Sequence, residues 1–125
     1  MRVALKVVVV ALCALSTMAA SSQARFITEP IDKSERAEAY RKRAIDEFVR
    51  RQIVYKVTKT SDTAVEVQVT ARFLELPFDQ KQVVTWAVFS AYFDGEDDRQ
   101  SLMFADSRTL KQVGAFDTCH GLTLE

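Results

Sequence analysis

Cys119 and His120 are the one place in this 125-residue chain where a thiol and an imidazole are adjacent. A thiol–imidazole dyad needs both side chains within hydrogen-bond reach. Neighbouring residues of an extended segment point to opposite faces, so this spacing does not build one. The pair also offers two ligands where structural zinc takes four, and no CxxC or HxxxH spacing completes the set. The spacing predicts a tail cysteine beside an exposed histidine and no metal site. Asp94, Glu96, Asp97 and Asp98 form an acidic cluster. A calcium loop counted from Asp94 would need Gly at its sixth position and Glu at its twelfth. Arg99 and Ala105 stand there instead, so the cluster reads as a solvated loop. Arg41, Lys42, Arg43, Arg50 and Arg51 are basic. On a helix, Arg41 and Arg43 point about 160° apart, so they form no single patch. No nucleophile elbow, phosphate loop, zinc-protease helix or dinucleotide fingerprint occurs. The sequence predicts no catalytic residues and no cofactor.

The most informative segment is apolar. Val83, Val84, Trp86, Ala87, Val88, Phe89, Ala91, Tyr92 and Phe93 fill nearly every direction around a helix axis, leaving only the Lys81–Thr85 sector clearly polar. A helix that is apolar all round must be covered on most sides. One sheet and one neighbouring helix are expected to cover part of it. The remaining face, carrying Trp86, Phe89, Tyr92 and Phe93, is expected to meet a protein partner or an apolar ligand, where aromatic side chains are effective anchors.

The elements that position these groups follow from changes of period. Asp32 or Ser34 caps a first helix over about Lys33 to Arg50, and Ala37, Tyr40, Ala44, Ile45 and Phe48 recur at helical spacing as its apolar stripe. Acidic residues gather at its start and Arg50 and Arg51 at its end, as the macrodipole favours. Ile53 to Thr58 then alternates, Thr60 to Thr63 turns, and Val65 to Phe73 alternates as a long half-buried strand. Asp79, with Gln82 three residues on and Phe78 set to pack on Val83, is expected to cap a second helix from Gln80 to about Phe93, stopped by Asp94-Gly95. Leu102 to Ala105 and Leu110 to Phe116 read as two more strands around the turn at Asp106 to Thr109. The predicted class is α+β in αββ-αββ order: a mainly antiparallel four-stranded sheet with two helices on one face.

The start of the chain reads as an address. Arg2 and Lys6 precede nine apolar residues, Val7 to Leu15, and Ser22-Gln23-Ala24 fits a small-x-small cleavage site. Nine residues are too few to cross a bilayer, which takes about 20. Residues 1–24 are therefore expected to be a signal peptide cleaved after Ala24, leaving residues 25–125 as one small domain, with no stable membrane anchor after cleavage and a periplasmic or extracellular destination. Cleavage removes Cys13, so Cys119 becomes the single cysteine and is open to pairing between chains. The mature chain carries 15 Lys and Arg against 17 Asp and Glu. That near-neutral balance argues against a nucleic-acid partner.

The reading of the whole is a small exported, non-catalytic protein-interaction module, with another protein or a second copy as partner. The alternative is a binding domain for a small apolar ligand held between the second helix and the sheet; an envelope hydrolase without a recognisable motif is the weaker alternative.

Overall fold

Ser34 fixes the first boundary. Its hydroxyl accepts the Ala37 N–H at 3.2 Å, while the Asp32 carboxylate accepts the Ser34 N–H at 2.9 Å. Helix α1 therefore spans Glu35–Arg50. The computed structural model describes residues 30–125. The expected signal peptide, its cleavage site at Ala24 and Cys13 lie outside the described residues. Helix α1 ends where the Ile53 N–H reaches back to the Phe48 carbonyl, with Gln52 in the left-handed region at φ 62°.

Strands β1 (Val54–Ser61) and β2 (Ala64–Val69) form the expected antiparallel hairpin. The long second strand stops earlier than its alternation suggests. The Thr70 hydroxyl donates to the carbonyls of Gln52 and Ile53, and its N–H also goes to Ile53. Residues Ala71–Glu75 then form a short helix, α2, which turns Phe73 into the core, stacked on Phe104 at 5.4 Å. Helix α3 spans Phe78–Tyr92. Its N-cap residue is Pro77, whose carbonyl accepts from Gln80 and Lys81, and no side chain caps it. Asp79 sits inside the first turn and accepts only from the neighbouring Gln80 N–H. The expected capping role of Asp79 is thus corrected: the helix begins two residues earlier, on a proline whose fixed φ suits a helix entry.

Strands β3 (Ser101–Asp106), β4 (Gln112–Asp117) and β5 (Gly121–Leu124) complete the sheet. The order is β1-β2-β3-β4-β5. Strand β3 runs parallel to β2, with Val65 beside Leu102 and Val67 beside Phe104. The other three junctions are antiparallel. The α+β class stands, and the detail differs: among the described residues, five strands in a mixed sheet and three helices replace the mainly antiparallel four-stranded sheet and two helices. The reason is the long connection through α2 and α3. It returns the chain to the start of the sheet, and a crossover of that length permits a parallel neighbour.

One face of the sheet is dry. Val54, Val65, Val67, Val69, Leu102, Phe104, Phe116 and Leu122 pack there against Phe73, Val84, Val88, Phe89 and Phe93 from the helices. The other face carries Lys56, Thr58, Glu66, Gln68, Met103 and Thr123, all exposed or half-exposed. Strands β4 and β5 approach unusually closely at Gly114, where a Cβ would lie 2.8 Å from the Thr123 carbonyl oxygen.

Two stability predictions follow from these contacts. Ser34→Ala should lower stability by about 0.5–2 kcal/mol in urea unfolding, whereas Asp79→Ala, which removes only a charge near the α3 dipole, should cost about 0.3–1 kcal/mol. An Asp79 substitution costlier than the Ser34 one would restore the capping role to Asp79. Gly114→Ala should cost about 1–3 kcal/mol in thermal melts, because backbone rather than a flexible side chain opposes the new methyl. A neutral effect would show that β5 is free to shift.

Candidate functional site

The described residues leave one broad apolar concavity between helices, and it lies between α1 and α3. The two helices run antiparallel. Lys33 locks the start of α1 to the end of α3: its ammonium donates to the carbonyls of Ser90 at 3.1 Å and Phe93 at 3.4 Å, and pairs with Glu38 at 3.0 Å. The Arg41 guanidinium donates to the Asp32 carbonyl and holds the entering chain against the helix. Small residues face the junction (Ala37 and Ala44 from α1, Ala87 from α3) while Phe48 closes its far end. Small side chains at the seam and larger ones at the rim leave a groove of about 1230 Å³.

The rim carries exposed apolar groups. Tyr40 is 68 % exposed, Val83 64 % and Trp86 36 %. Trp86 is held there from below, its indole stacked on the Phe89 ring at 5.9 Å and 20° between planes. Arg36, Arg43 and Glu47 complete the α1 rim, and Asp79 the α3 rim. Glu47 accepts from both Arg50 and Arg51. Those guanidiniums, Arg50 first, hold its carboxyl below the ordinary range. The two buried hydroxyls of α3 are satisfied within the helix: Thr85 donates to the Lys81 carbonyl and Ser90 to that of Trp86, each at 2.7 Å.

Of the four aromatic residues expected to form a partner or ligand surface, the structure leaves Trp86 at the groove. Phe89 and Phe93 are buried at 0 % and 3 % exposure, and Tyr92 is half-buried. Phe89 meets Phe116 edge-on at 5.1 Å and Phe93 at 5.2 Å, so the space between α3 and the sheet is filled by rings of the chain itself. Val84 and Val88 are also buried within the chain. Tyr40 and Val83 are the groove residues that sequence reasoning did not single out as a surface. The signal lay in the helical spacing of Arg36, Tyr40, Arg43 and Glu47, a stripe that mixes charge with an aromatic ring and so suits a rim rather than a core.

The other candidate chemistries are occupied in structural work. Cys119 is half-buried in the β4–β5 turn and is not a free thiol. His120 Nδ1 lies 3.1 Å from Asp117 Oδ1, but that oxygen also accepts the N–H groups of Cys119 and His120 at 2.9 and 2.7 Å. The carboxylate closes the β4–β5 turn. The acidic loop is stapled in the same manner. Asp94 accepts the Glu96 N–H at 2.9 Å and the Gln100 amide at 3.1 Å, and Gln100 in turn accepts the Gly95 N–H at 2.9 Å. Asp97 accepts the Arg99 guanidinium and N–H, both at 2.9 Å. Among the described residues no three His, Cys, Asp or Glu side chains converge as metal ligands would.

These hydrogen bonds set a pH dependence. The Glu96 N–H and then Gln100 draw the Asp94 carboxyl below its ordinary value, and the Arg99 side chain and then its N–H do the same for Asp97. A lowered carboxyl contributes stability that is present above the ordinary aspartate value of about 3.9 and is lost as pH falls through the lowered one. Hydrogen exchange of the Glu96 and Arg99 amides should therefore be unchanged from pH 7 to 5, after correction for intrinsic rates, and should lose protection below about pH 4. Asp94→Asn should abolish that acid step at Glu96; an unchanged step would assign it elsewhere. No family model, no curated protein and no solved structure matches the chain.

Proposed function

We propose that this chain is an exported, non-catalytic protein-interaction module and that its docking surface is the groove between α1 and α3. The observation that carries this reading is the rim itself: Tyr40, Val83 and Trp86 are large apolar groups exposed along one groove, between two helices joined by Lys33. Leaving such groups exposed costs free energy that docking would recover, and aromatic anchors flanked by charges are what protein interfaces use at their centres. The rim carries Arg36 and Arg43 against Glu47 and Asp79, a balanced pattern that suits another protein surface better than a uniformly charged polymer. The ring-filled interior beneath α3 favours a surface contact over a ligand enclosed between helix and sheet. Export rests on the sequence of residues 1–24, and a cell-envelope or extracellular partner follows from it.

The test is site-specific photo-crosslinking in the cells that make the protein. A photo-reactive residue at Val83 should give a defined adduct in the exported fraction, and one at Lys56, on the wet face of the sheet, should not. Adducts of equal yield from both positions, or none from Val83, would overturn the docking surface. N-terminal sequencing of the same material should begin at Arg25; a chain still beginning at Met1 would overturn the export reading.

A further inference from the structure

We infer that the occupant of the groove is a second copy of this chain, docked about a twofold axis that crosses α1 and α3 at right angles, so that four helices form one bundle. The inference rests on the groove being a docking surface. Under such an axis each helix faces its own copy run in reverse. Residues equidistant from the middle of a stripe then meet.

The α1 rim reads Arg36, Tyr40, Arg43, Glu47. Reversed on itself, it sets Arg36 against the partner's Glu47, and Tyr40 against the partner's Arg43. The first contact is an ion pair and the second a cation over an aromatic ring, and symmetry makes each of them twice. The α3 rim reverses in the same way and sets Val83 against the partner's Trp86. The two midpoints, between Arg41 and Lys42 and between Val84 and Thr85, lie near the middles of helices of 16 and 15 residues. The Lys33 bonds to Ser90 and Phe93 align those helices end to end, so one axis serves both rims. Among the described residues neither Arg36 nor Arg43 has an ion-pair partner within the chain.

The competing twofold, with its axis along the helices, keeps residues at equal height. It sets Glu47 against the partner's Asp79, two carboxylates facing each other, twice over. Charge therefore selects the reversed arrangement.

Sedimentation velocity of the exported, purified chain in reductant tests this, with reductant removing any contribution from Cys119. The expected species at micromolar concentration is a dimer. Arg36→Glu and Glu47→Arg each convert both symmetric ion pairs into like-charge contacts and should weaken the dimer by about tenfold or more. Mixed in equal amounts, the two variants should recover a one-to-one heterodimer, because every crossed contact is again Glu with Arg. Far-UV circular dichroism equal to the unaltered chain establishes that each variant folds. Tyr40→Ala, at a position 68 % exposed, is the second route should either charge reversal fail to fold, and it too should weaken the dimer. A monomer, a dimer indifferent to these substitutions, or a mixture that fails to recover would each overturn the inference. A monomer from which Val83 still captures a different protein would overturn the second copy alone and leave the docking surface standing; no capture at all removes both.

Discussion

Phe89 touches three other rings, Trp86 at 5.9 Å, Phe93 at 5.2 Å and Phe116 at 5.1 Å, and none of its own surface reaches water. That one side chain fixes the height and rotation of α3 over the sheet. Through Phe116 it ties the helix to β4. On its other side it presses against the region of Ile31 and Gly95, where the entering chain and the loop after α3 meet. Gly95 has φ +78°, and a Cβ there would lie 3.3 Å from Ile31. With the rotation of α3 set in this way, Val84, Val88 and Phe93 turn inward and Val83 and Trp86 turn outward. The groove is a consequence of that rotation.

Helix α1 supplies the second wall under a different constraint. It packs on α3 and on β1, and none of its residues is fully buried. Ile45 and Phe48 pack against the core, and polar fixings hold its start, through Ser34, Lys33 and Arg41, and its end, through the Phe48 to Ile53 closure. A helix held by its ends keeps a seam of small residues open along its length. The contrast with α3, buried on most sides, explains why apolar groups stand in water at this junction while the interior beneath α3 is filled.

Much of the architecture was legible because periodicity changes sharply along the chain. The extent of α1, the β1–β2 hairpin and the existence of α3 follow from local pattern alone. Helix α2 was not legible: Ala71 and Phe73 continue the alternation of Val65, Val67 and Val69, and only the bonds from Thr70 to Gln52 and Ile53 take the chain off the ladder. Strand β5 is four residues long, too short for a pattern to declare itself. The parallel pairing of β2 with β3 depends on how the long crossover returns, which no local signal records. At the site, a helix apolar all round does not say which side meets the sheet. Trp86 and Phe89 are three residues apart and chemically alike, yet one forms the rim and the other the hub. Tyr40 recurs at helical spacing with the apolar residues Ala37, Ala44 and Phe48, but it shares its face with Arg36, Arg43 and Glu47, and packing leaves it 68 % exposed.

The account turns on Trp86 being accessible in the free chain and covered when the groove is filled. It is the chain's one tryptophan, so its emission reports on this site without interference. The most direct measurement is acrylamide quenching of that emission, compared between the dilute chain and the associated form. The account predicts efficient quenching in the first and marked protection in the second. Quenching that stays the same across association would contradict it, because the surface being buried would then lie elsewhere on the molecule.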